Sequence, residues 1–74
     1  MNEIRFTVLT ALETQGKATA RELAELLGAR REAVAMLLMR ALLDGLVAYR
    51  PRSGRHRLSD RGRERLAWLR GRRA

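Results

Sequence analysis

Three glycines, at positions 16, 28 and 45, each follow a stretch of helical apolar period, the place where a left-handed residue ends a helix. They divide the first 45 residues into three helices, each too short to be stable alone in water. Such helices persist only by burying their apolar stripes against one another, which constrains the chain to a small helical core. The first helix is read from Glu3 to Gln15, with Asn2 as its N-cap. Ile4, Val8, Ala11 and Leu12 form its stripe, widened by Phe6 and Leu9. Lys17 and Ala18 are a connector or one short strand. Thr19 opens the second helix, and Thr19 and Glu22 have the spacing of a capping box. Leu23, Leu26 and Leu27 are its stripe, and Gly28 ends it. The third helix runs from about Arg31 to Asp44, with Val34, Leu37, Leu38, Ala41 and Leu42 on one face. Two short helices joined by so tight a turn must cross steeply, which is helix-turn-helix geometry.

Past Gly45 the pattern changes. Leu46 to Arg50 leans towards strand, Pro51 to Gly54 holds turn residues, and Arg55 to Leu58 returns as a second strand. A lone hairpin is marginal, so it must pack beside the helices, with Leu46, Val47 and Leu58 as anchors. Ser59 or Asp60 caps a fourth helix that reaches about Arg70, with Gly62, Leu66 and Leu69 on one face. A glycine inside a helix costs about 1 kcal/mol against alanine, so Gly62 implies close contact with a neighbouring backbone. Gly71 to Ala74 is expected to fray. The expectation is one mostly α domain over residues 1–74 with a small β-hairpin: helix-turn-helix at 19–45, hairpin at 46–58, last helix at 59–70.

The charge is unevenly placed. Residues 1–45 carry six bases and six acids, whereas residues 46–74 carry ten arginines and two acids, an excess of eight. A basic half of this kind points to a polyanion, nucleic acid before membrane. Fifteen of the sixteen bases are arginine, the side chain that forks phosphate and guanine, although a G+C-rich genome produces the same bias. The chain has no cysteine and one histidine, His56, so disulfides, thiolate zinc and multi-histidine metal sites are excluded. The acids are dispersed, and no phosphate loop or nucleophile–base pair is visible, so an enzyme is not expected. No cofactor or small-molecule ligand is expected either. The longest apolar run is seven residues, Ala33 to Met39, and the N-terminus lacks a signal pattern, so the expected location is the cytoplasm.

The segments "TARELAELLG", "AVAMLLMRALLDGLV", "YRPRSGRHRLS" and "LSDRGR", in this order, resemble a winged helix domain of bacterial or phage transcription regulators. The last of them is similar to the "L-T-x-x-G-R" run that follows the wing in MarR-like repressors. The resemblance implies double-stranded DNA as partner, with the third helix in the major groove and the wing on the backbone or minor groove. Carried over by position, Arg30, Arg31, Glu32, Ala35, Met36 and Arg40 would face the duplex from the third helix. Arg50, Arg52, Arg55 and Arg57 would do so from the wing. The chain departs from the pattern in two places. Ala29-Arg30-Arg31 lacks the usual serine or threonine cap, and Ala35-Met36 stands where a Ser-Arg pair often faces DNA. Apolar groups meet thymine methyls but donate no hydrogen bonds, which implies modest sequence readout.

Two other readings remain open, a winged helix that docks a protein partner and an architectural DNA binder without sequence preference. An adaptor would centre on Met36, Met39 and Trp68. His56 falls on the same side of its strand as Leu58 and is read as structural or phosphate-facing. Trp68 lies off the Leu66/Leu69 face, which makes it a half-covered surface residue or a homodimer contact with Phe6 or Leu9. The long dimerisation helices of full MarR-type repressors are absent, so a small dimer interface and no ligand-sensing domain are expected.

Overall fold

The computed structural model describes residues 3–73. Its elements are α1 (Glu3–Gln15), β1 (Lys17–Thr19), α2 (Ala20–Leu27), α3 (Arg31–Leu43), β2 (Val47–Arg50), β3 (Arg55–Leu58) and α4 (Asp60–Arg73). The Asn2 cap proposed for α1 lies outside the described residues. Each helix sends a leucine to the centre: Leu9 and Leu12 from α1, Leu23 from α2, Leu38 from α3 and Leu66 from α4 are all fully buried. Burying a side chain of this size stabilises by about 1.5–3 kcal/mol. Leu46, Val47 and Leu58 close the core from the hairpin side, as their spacing predicts.

Three stripe positions differ from expectation. Ile4, Leu26 and Leu42 are exposed. In α2 the small Ala24 is buried beside Leu23, which turns the helix so that Leu26 points to solvent. Ile4 lies in the first turn of α1, at the edge of a stripe centred on Val8, Leu9 and Leu12. In α3 the buried face is Val34, Leu38 and Ala41, with Leu42 at its margin.

The hairpin gains a third strand. The sheet order is β1-β3-β2, antiparallel throughout, with Lys17 opposite Arg57 and Ala18 opposite His56 on one side of β3. On the other side Val47 pairs with Leu58, Tyr49 with His56 and Arg50 with Arg55. The helices are tied at two outer corners. Arg5 near the start of α1 pairs with Asp44 at the end of α3. Arg70 of α4 grips Glu13 of α1 through two N–H donors at 2.5 and 3.1 Å. That fork holds the Glu13 carboxyl below its ordinary range, first through the hydrogen bond and then through the charge of Arg70.

Gly62 locks the hairpin to α4. A Cβ at this position would stand 1.9 Å from the carbonyl oxygen of Leu46. Only glycine lets the helix approach that close, and the approach explains a residue that helix propensity disfavours. Ser59 is the cap: its Oγ accepts from the Gly62 N–H at 3.0 Å and donates to the Gly45 carbonyl at 2.6 Å. The helix then runs three residues past its expected end at Arg70. Gly71 and Arg72 are helical rather than frayed, with the Arg72 guanidinium 4.9 Å from the Trp68 ring one turn back.

Candidate nucleic-acid interface

The turn between α2 and α3 orients the surface. Thr19 Oγ accepts from the Glu22 N–H at 3.0 Å, and the Glu22 carboxylate accepts from the Thr19 N–H at 2.8 Å. These backbone and side-chain bonds from Thr19 hold the Glu22 carboxyl below its ordinary range. At the other end Gly28 takes φ +63°, and the Ala29 N–H returns to the Ala24 carbonyl at 3.0 Å. The chain then enters α3 through Arg30, whose side chain makes no cap bond. Two helices are thus set at a fixed angle within three linking residues, Gly28 to Arg30.

With Val34, Leu38 and Ala41 turned inward, α3 presents Arg31, Glu32, Ala35, Met36, Met39, Arg40 and Leu43 to solvent. This face is largely apolar: Met36 is 71% exposed and Leu43 78%. The helical period splits the two arginines between the flanks and leaves Glu32 in the middle of the exposed face, beside Met39 and Leu43. Arg31, Ala35 and Met39 look towards the sheet, while Arg40 lies on the opposite flank. Between α3 and the sheet runs an open groove of about 560 Å³, lined by Arg31, Ala35 and Met39 on one wall and by Tyr49 and His56 on the other. Ser53 and Gly54 of the hairpin tip and Arg21 of α2 complete it. Arg21 is a cation that periodicity did not single out, because nothing local in α2 ties it to the hairpin.

His56 stacks on Tyr49, with ring centroids 4.6 Å apart. Its Nδ1 is buried without a hydrogen-bond partner. Burial lowers its pKa from the ordinary value, which favours the neutral ring. The histidine is therefore part of the groove wall, on the same side as Leu58 as period two predicts.

The hairpin arginines do not join that groove. Period two sends Arg55 and Arg57 to the other side of β3. Pairing adds Lys17 beside Arg57 and Arg50 beside Arg55. These four and Arg52 line a second groove of about 490 Å³ on the outer face of the sheet, which adjoins the first at Ser53 and His56. Arg55 also lies 3.9 Å from Glu22, a loose exposed pair. Lys17 belongs to this cluster through β1, a strand too short to carry a readable pattern.

Of the expected dimer contacts, Leu9 has no accessible surface and cannot reach a second copy. Phe6 is partly buried against the core. Trp68 is 50% exposed and sits between the guanidinium groups of Arg65 and Arg72, each 4.9 Å from its ring. It lines a cleft with Arg5, Asp44 and Leu46, apart from the groove that holds Met39. The structure therefore does not gather Met39 and Trp68 into one apolar groove. Among the described residues no helix is long and apolar enough to cross a membrane.

Three helices, a three-stranded antiparallel sheet with a protruding hairpin, and a closing helix make this a winged helix fold. The chain has the winged helix core seen in MarR-family transcriptional regulators. It is similar to Sco5413, a MarR family transcriptional regulator from Streptomyces coelicolor, at 27% identity and a TM-score of 0.81, over 90% of this chain and 50% of that one. It is also similar to the reduced form of MarR from E. coli, at 23% identity and a TM-score of 0.81, over 86% of this chain and 47% of that one. The chain spans about half the length of these solved structures. No protein-family model and no curated protein matches it.

Proposed function

We propose that this chain binds double-stranded DNA as the reading head of a transcription regulator, without catalysis and inside the cytoplasm. α3 enters the major groove with its N-terminal half leading. Arg31 reaches base edges or phosphate, Ala35 and Met36 meet thymine methyls, and Arg30 and Arg40 hold the backbone on either side. Arg52 at the hairpin tip contacts phosphate or a narrow minor groove. The observation that carries this reading is the open groove in which the Arg31 flank of α3 and the hairpin tip stand side by side. Likeness to MarR-family regulators supports it.

Selection from a pool of random duplexes at near-physiological salt tests the proposal. Retention with an enriched motif is the expected result. An enriched palindrome would add that the chain acts as a homodimer. Retention without enrichment would make it an architectural binder, as the apolar Ala35-Met36 pair favours. No retention would overturn the reading. The exposure of Met36, Met39 and Leu43 supports one second reading, an adaptor that docks a protein on the same helix.

A further inference from the structure

We infer that the outer face of the sheet is a second phosphate-binding surface, so that one copy of the chain holds two DNA duplexes at once. The inference rests on the DNA reading above and extends it to a face that α3 does not share. Lys17 stands directly opposite Arg57, and Arg50 directly opposite Arg55. Like charges in direct cross-strand register destabilise a sheet, and here both strand pairs carry one on the same side. Among the described residues no carboxylate lines the groove they form with Arg52. Of the acids near it, Glu22 meets only Arg55, at 3.9 Å, and is already engaged by the backbone of Thr19, while Asp60, which borders Arg57 on its far side, pairs with Arg63 at 3.1 Å. Protection of sheet edges from aggregation accounts for a cation on β1 or β2. It does not account for Arg55 and Arg57, which occupy the central strand. A polyanion laid over this face relieves both repulsions, and regularly spaced phosphates supply several charges at once.

The second duplex follows from the geometry of the strands. Tyr49 lines the α3 groove alone, Arg55 and Arg57 line the outer one alone, and Ser53 and His56 border both. Duplex DNA is stiff over about 150 base pairs, so a duplex seated on α3 does not fold back around the sheet to reach the other face. Two separate duplexes reach the two faces without bending, with Ser53 and His56 on the border between them.

A bridging capture tests this. One duplex is immobilised, the full chain is added, and a second, fluorescent duplex of the same length is offered. The expected result is capture by the parent chain, about tenfold weaker capture by Lys17→Glu, and unchanged retention of Lys17→Glu on the immobilised duplex alone. Lys17→Glu replaces a repulsive pair by an attractive one, so its melting temperature is expected at or above the parent's, which shows that the fold is intact. Arg57→Gln, which only removes charge, is expected to lower capture by a smaller factor. Capture that survives Lys17→Glu would assign bridging to pairing between copies and overturn the proposal. Retention of the parent chain without capture would also overturn it, leaving the DNA reading in place. No retention on the first duplex would overturn both.

Discussion

The exposed side of α3 and the outer side of the sheet are opposites in chemistry. The helix shows solvent Ala35, Met36, Met39 and Leu43 with arginines only on its flanks. The sheet shows Lys17, Arg50, Arg55 and Arg57 and no apolar anchor. One surface has shape with little charge, and the other has charge with little shape. In a protein that reads DNA, shape and base contacts set orientation and preference, while cations set affinity and its salt dependence. On the proposed reading α3 supplies the first and the outer sheet face offers cations to a second duplex, while the contact between Gly62 and Leu46 fixes the hairpin to α4.

That joint is the most sensitive point. Gly62→Ala forces a methyl into the Leu46 carbonyl, and because the obstacle is backbone the loss is expected to reach about 3 kcal/mol or more. Chemical denaturation measures it. A loss near 1 kcal/mol would mean that α4 shifts freely against the hairpin. Arg31→Ala is next. It is expected to cost about 1–3 kcal/mol on the preferred duplex and to relax preference at one position, seen by comparing affinities for single-base variants. Equal weakening on all sequences would show that Arg31 holds phosphate, and would blur the contrast between the two surfaces. Ser59→Ala removes the α4 cap and the bond to Gly45, and a loss of about 1–2 kcal/mol in thermal or denaturant unfolding is expected.

Arg52→Ala has a smaller effect. Affinity for every duplex is expected to fall alike, and the slope of log K against log salt to flatten by about one unit. The smallest effect is that of pH. The folded-state pKa of His56 is lowered by burial, so the folded chain binds fewer protons than the unfolded one just below the ordinary histidine value. The stability associated with the neutral ring is present above about pH 6.5 and is lost as pH falls through the depressed folded-state value. His56→Phe keeps the stack on Tyr49 and is expected to remove that part of the acid destabilisation, as melting temperatures between pH 7 and 5 would show.

Much of the scaffold was legible in the sequence because its signals are local. The Thr19/Glu22 spacing, the turn at Pro51 to Gly54 and the glycine inside α4 each act over a few residues, and the structure reproduces all three. What was not legible depends on packing across the chain. Leu26 reads as core until Ala24 is seen to take the contact. Leu9 reads both as part of the α1 apolar face and as a partner for Trp68 in a dimer, and only packing decides for the core. Lys17 and Arg21 join their clusters through a three-residue strand and a helix–hairpin approach that no local pattern encodes. The arginines of the hairpin were readable as a group, but their separation from the α3 groove follows from strand pairing.

The salt dependence of affinity for one duplex, measured on the full chain, tests the central claim most directly. If phosphate contacts carry the affinity, log K falls linearly and steeply with log salt, by about 0.9 unit for each phosphate engaged, with several engaged. An affinity that stays level across the same range would contradict the account and leave the apolar surface of α3 as the place where this chain meets its partner.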